Sequence, residues 1–83
     1  MCFLIILKSS CTHRYYIGQT YDIEKRLFYH NSGYSKSTKA GLPWKLVYIE
    51  NFDTRQQAMK RESELKKDKS RAMIEKIIEE YID

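Results

Sequence analysis

Residues 14–33, RYYIGQTYDIEKRLFYHNSG, decide how this chain of 83 residues folds. YYIG at 15–18 fits a pleated strand, and Gly18 would either end it or let another group approach its backbone closely. Asp22 is a good N-cap for a helix that stops at Asn31, Ser32 and Gly33. On that helix Ile23, Arg26, Leu27 and His30 fall at i, i+3, i+4 and i+7, which is one face. Two of those four side chains are polar, although the face should cover a core.

The flanking segments supply that core. FLIIL at 3–7 is a short, branched, unbroken apolar run, the pattern of a strand buried on both faces. KSSCTHR then supplies a turn, because Ser and Thr compete for backbone hydrogen bonds, and the chain returns through YYIG as an antiparallel hairpin. After the helix, GYSKSTKAGLP reads as a basic, Ser/Gly-rich loop and WKLVYIENF as a third strand. Thr54 with Gln57 is a capping box that opens a helix from about Arg55 to Lys69, with Ala58, Arg61, Glu62 and Leu65 facing inward. Ser70 caps a last helix whose stripe of Ile74, Ile77, Ile78 and Tyr81 is structural. The order β-β-α-β-α-α predicts an α/β (α+β) domain over residues 1–83: a small three-stranded antiparallel or mixed sheet flanked by three helices.

Composition narrows the function classes. A core is affordable with 42% hydrophobic and 13% aromatic residues, and 31% charged residues argue for a soluble chain. The longest apolar run is too short to cross a bilayer and nothing resembles a signal peptide, so a cytoplasmic location is expected. Cys2 and Cys11 are too few for a disulfide scaffold and read as free thiols. The net charge of +4 is unevenly spread: Arg55–Arg71 holds seven basic and three acidic residues, Ala72–Asp83 one and four. That distribution suits a polyanionic partner, and equally a solvated helix face.

Burying an unpaired charge costs several kcal/mol, so Arg26 and Glu62 must pair with each other or face a wet cleft. Tyr16, Arg26, His30 and Glu62 together are groups that phosphodiester cleavage uses. A guanidinium and a hard cation stabilise charge developing on phosphate oxygens. A lone carboxylate suffices for Mg²⁺, which keeps most of its waters, and Glu62 is the inward carboxylate. A phenol such as that of Tyr16 can orient water near the metal. Rival chemistries are poorer: Cys2, Cys11, His13 and His30 have no zinc-finger spacing, a Cys-His nucleophile lacks an orienting third group, and no glycine-rich phosphate loop exists.

Taken together, these segments resemble the GIY-YIG nuclease superfamily, in particular small stand-alone members similar to the nuclease domain of the UvrC excision-repair subunit. YYIG matches the second signature, with Tyr16 and Gly18 in its signature positions. DIEKRLFYHNSG is similar to the helix bearing the family's catalytic arginine, at Arg26, and its common histidine, at His30. PWKLVYIENFDTRQQAMKRESELKK is similar to the third strand and the helix bearing the metal-binding glutamate, at Glu62. The resemblance implies a Mg²⁺- or Mn²⁺-dependent endonuclease acting on DNA, structure-selective or weakly specific, in repair or recombination. Lys36, Lys39, Lys60, Lys66 and Lys67 would hold the phosphate backbone of a monomer's or weak dimer's substrate, with no small-molecule cofactor and no membrane. One position departs: Ile5 stands where the first signature supplies a tyrosine, eleven residues before Tyr16. A catalytically silent nucleic-acid-binding module therefore stays open beside the enzyme, with Tyr21, Tyr29 and Tyr34 as substitute phenols.

Overall fold

The apolar run near the start of the chain becomes the central strand of the sheet. In a computed structural model that describes residues 1–33, 41–68 and 71–82, β1 (Cys2–Ser9) lies between β2 (Tyr15–Thr20) and β3 (Trp44–Phe52). Both pairings are antiparallel, which resolves the expectation of an antiparallel or mixed sheet. Leu4, Ile5, Ile6 and Leu7 are fully buried, as a run covered on both faces must be. Each such side chain contributes on the order of 2 kcal/mol of transfer free energy.

Alternation along β1 divides those residues between two cores. Ile5 and Leu7 pack with Trp44, Tyr16 and, from α1 (Ile23–Asn31), Ile23 and Leu27. Leu4 and Ile6 pack with Ile17, with Leu65 of α2 (Arg55–Asp68) and with Ile74 of α3 (Arg71–Ile82). The order β-β-α-β-α-α is as the sequence predicts, with one helix on one face and two on the other. Among the described residues no helix is long and apolar enough to cross a membrane.

A bulge sets which strand residues face which core. Ile6 pairs with Tyr48 but Leu7 pairs with Leu46, so Val47 is an extra residue in β3. Trp44 and Leu46 are thereby turned to the α1 face, while Tyr48 and Phe52 stay with α2 and α3. Simple alternation would have put Trp44, Leu46 and Tyr48 on one side.

The expected helix starts hold. Asp22 accepts a hydrogen bond from Lys25 N at 3.1 Å at the start of α1. Thr54 Oγ1 accepts from Gln57 N at 3.3 Å, and Gln57 Oε1 accepts from Thr54 N at 3.3 Å, completing the capping box of α2. At the end of α1 the Ser32 N–H donates to Phe28 O, and Gly33 takes φ +83°, a conformation that costs a residue without Cβ nothing. Ser70 lies outside the described residues.

Candidate active site

Gly18 does not end its strand: it pairs with Ile5 in mid-sheet, and its role is the other one, close approach. A Cβ at Gly18 would stand 2.9 Å from Cε1 of Tyr16, so the missing side chain is the space in which the Tyr16 ring lies down. The ring then reaches across to α1. Arg26 Nη2 donates to the Tyr16 hydroxyl at 2.9 Å, and the His30 ring sits 4.4 Å from the Tyr16 ring, tilted by 55°. Trp44 meets the same phenol edge-on at 6.4 Å. Three of the four expected groups are thus brought together by one strand and one helix.

Arg26 is half-buried, and the single hydrogen bond to a neutral phenol leaves its charge without a carboxylate among the described residues. Its Nε is buried with no hydrogen-bond partner there. An orphaned guanidinium N–H is expensive unless an acceptor visits it. Its other neighbour is the Tyr29 ring, 6.0 Å from the guanidinium carbon. A cleft of about 420 Å³ opens between these groups, walled by Tyr16, Arg26, Tyr29 and His30 and completed by Thr20, Asp22 and Lys25.

His30 is 2% exposed. Burial first, and the Arg26 charge second, hold its imidazole below the ordinary histidine range, so it is neutral at neutral pH and able to accept a proton. Its position is fixed by the next residue. Asn31 grips both backbone groups of Trp44: Trp44 N donates to Asn31 Oδ1 at 2.6 Å, and Asn31 Nδ2 donates to Trp44 O at 3.0 Å. In sequence terms Asn31 is only a helix-stop residue, and this clamp has no local signal because its partner lies 13 positions away.

Glu62 comes from a different helix. It is half-buried on α2, which packs chiefly on β2 and β1, and its carboxylate meets Lys66 at 3.4 Å. It neither pairs with Arg26 nor lines the cleft. Among the described residues no three His, Cys, Asp or Glu converge as a metal site. The donor set suits only an ion content with one protein oxygen plus waters, which is the habit of Mg²⁺ and not of zinc. Arg61, which shares the inward face of α2, is accounted for structurally: its Nε meets Glu50 at 3.4 Å.

The remaining expected residues scatter. Ile5 is 0% exposed and wholly within the apolar cluster beneath α1, with no hydroxyl at that place. Of the substitute phenols, Tyr29 forms a cleft wall, Tyr21 is exposed and Tyr34 lies outside the described residues. Lys36 and Lys39 also lie outside them, while Lys60, Lys66 and Lys67 are exposed on α2. Lys25 and Thr20 are cleft residues that sequence reading missed; Lys25 had a signal in its i, i+4 spacing to Tyr29. Cys2 is buried, Cys11 exposed, and both are free.

The chain is similar to known proteins. A family model described as the GIY-YIG catalytic domain matches residues 1–76. A UPF0213 protein of Streptococcus pneumoniae serotype 4 is 44% identical over 70 residues, covering 83% of this chain and 70% of the relative. A UPF0213 protein of Staphylococcus saprophyticus is 52% identical over 52 residues, 61% of this chain and 63% of the relative. The solution NMR structure of a UPF0213 protein from Bacillus halodurans is similar with a TM-score of 0.59 and 31% identity, over 95% of this chain and 84% of that one.

Proposed function

Because the chain belongs to the GIY-YIG family, whose catalytic-domain model spans residues 1–76, we propose that it hydrolyses DNA phosphodiester bonds as a divalent-metal-dependent endonuclease. On this reading residues 1–83 act as one catalytic domain in DNA repair or recombination, on structure-selected or weakly specified DNA. The observation that carries it is Arg26: a half-buried guanidinium held by a phenol at 2.9 Å, with Nε uncommitted, beside a cleft of about 420 Å³.

Each group then has a task. Arg26 binds the non-bridging oxygens of the scissile phosphate and stabilises their growing charge. Because Tyr16 accepts from Arg26 Nη2, the direction of its own hydroxyl proton is left for a phosphate oxygen or a water. Neutral His30, packed on the Tyr16 ring, takes up the proton that the attacking water releases. Glu62 would hold Mg²⁺ or Mn²⁺, giving up its Lys66 contact. When bound, that ion supplies Lewis-acid stabilisation of the phosphate and leaving oxygens. Lys60, Lys66 and Lys67, with Lys36 and Lys39, would carry the flanking phosphates.

A second reading, a nucleic-acid-binding module without catalysis, is favoured by Ile5, which puts an apolar side chain where the first signature tyrosine belongs. Nicking of supercoiled and branched DNA with Mg²⁺ or Mn²⁺ separates the two. Cleavage by the wild type and its loss, by about 10²-fold or more, in Glu62→Ala is the expected result. Cleavage surviving in Glu62→Ala removes Glu62 from the site, and binding without cleavage selects the silent module. A gain of cleavage in Ile5→Tyr would show that the missing hydroxyl limits an otherwise intact site.

A further inference from the structure

On the opposite face of the sheet the Val47 bulge has an electrostatic result. Leu46 pairs with Leu7, and the next pair is Lys8 with Lys45, so two lysines occupy directly opposed positions on neighbouring strands. Like charges in that register repel. Neither lysine has an ion-pair partner among the described residues. The next cross-strand neighbour of Lys8 is Tyr15 of β2, whose ring carries Lys8 Nζ at 5.7 Å and the Arg71 guanidinium at 5.2 Å. Three cations and an aromatic ring thus form one row across β3, β1, β2 and the start of α3.

The row borders open space. Lys8 and Lys45 line a cavity of about 620 Å³ together with Tyr48 and Tyr81, and a second of about 270 Å³ with Ser10 and His13. Among the described residues the one carboxylate in contact with the row is Glu75, at 2.8 Å from Arg71, which leaves the two lysines uncompensated there. Keeping two lysines at opposed positions without a carboxylate makes physical sense where an anion binds beside them, since counterion release on binding then offsets the repulsion. Cations grouped around an aromatic ring are also the kind of surface on which a nucleic-acid strand is held without sequence reading.

We propose that Lys8, Lys45 and Arg71, with Tyr15, form a second nucleic-acid backbone site on the face opposite the Tyr16–Arg26 cleft, holding phosphates of the strand beyond the scissile bond. The inference rests on the proposed action on DNA and adds where the remainder of that DNA lies. Tyr15 and Tyr16 are consecutive residues of the edge strand β2 that point to opposite faces, so a strand leaving the cleft reaches the second site by passing around that edge.

The test is the salt dependence of binding of a duplex of about 20 base pairs to the whole chain, measured by fluorescence anisotropy for wild type, Lys8→Gln/Lys45→Gln and Lys8→Arg/Lys45→Arg. Loss of two phosphate contacts lowers the log–log salt slope by about 1.8 and weakens binding at about 50 mM salt on the order of a hundredfold. The arginine pair restores both, because it keeps the charge. Should the glutamine pair fail to fold, Lys45→Gln alone, at an exposed position, lowers the slope by about 0.9. Wild-type binding with an unchanged slope in the glutamine variants overturns this inference alone. Absence of any DNA binding by the wild type overturns it together with the reading it rests on. Poly-glutamate competing as well as DNA would assign the row to an acidic protein, and overturn it too.

Discussion

Each face of the sheet holds a tyrosine against an arginine, and the two pairs differ in one group. On the α2/α3 face Tyr48 donates to Glu50 at 2.5 Å, Arg61 meets the same carboxylate at 3.4 Å, and Arg61 also reaches Glu64 at 3.7 Å. On the α1 face Tyr16 accepts from Arg26 at 2.9 Å and, among the described residues, no carboxylate joins them. The first arrangement is electrically closed: cation, anion and hydroxyl satisfy one another, and nothing is left to offer a ligand. The second is open, because a cation is held in place by a neutral group and keeps an N–H without a partner among the described residues. Residue type alone would rank the arginines equally. What separates a structural arginine from a ligand-binding one is whether its counter-charge comes from the protein.

The largest expected effect breaks that contrast. Arg26→Lys removes the planar fork and lowers DNA cleavage by about 10² to 10³, the cost of losing a preorganised donor to a developing charge. Arg61→Ala, measured in the same nicking assay, leaves the rate within about twofold. Its cost is in urea unfolding, about 1 kcal/mol, because the pair with Glu50 is partly solvent-screened. If both variants lost cleavage equally while remaining folded, the distinction between closed and open pairs would fail.

A mid-sized effect is expected at Gly18. Gly18→Ala sets a methyl group 2.9 Å from the Tyr16 ring, and the ring must lift away from Arg26. Overpacking of this kind costs about 1 to 3 kcal/mol, and cleavage should fall about tenfold. Thermal melting and single-turnover cleavage measured side by side check both figures. Gly18→Ala with wild-type activity would mean that the Tyr16–Arg26 contact is not needed.

The smallest effects lie in pH dependence, and the two faces respond at opposite ends. His30 is held below its ordinary value of 6.5, so below pH 6.5 the unfolded chain gains a proton that the folded chain refuses. Stability is therefore lost as pH falls through that window, and the loss should vanish in His30→Gln. Tyr48 is pushed up to about 12, by burial first and then by its bond to Glu50. Its folded hydroxyl keeps a proton that the unfolded chain releases above pH 10, so stability falls between pH 10 and about 12, and Tyr48→Phe removes that fall. Shifts of about a few degrees in Tm, followed by circular dichroism across pH, are the readout.

Much of this was legible in one dimension. The FLIIL run, the Asp22 cap, the Thr54/Gln57 box and the polar breaks in the α1 stripe are local signals, and local signals survive in sequence. Tyr16, Arg26 and His30 could be placed on one face because the strand period and the helix period are both short. Three things could not be read. The Val47 bulge inverts the facing of Trp44 and Leu46 without leaving a mark that alternation can see. The Lys8–Lys45 row depends on strand register and the Asn31 clamp on how α1 docks against β3, both of which are properties of pairs of segments.

The Asn31 clamp also bears on how such a chain can change over time. Twelve positions, 32 to 43, connect α1 to β3, and Asn31 ties the two ends of that connection through one amide side chain. Lengthening a connection closed at its base adds only about 0.6 kcal/mol per doubling. The anchoring of His30 and Trp44 is therefore set at the base of the connection and not by the sequence that the connection carries.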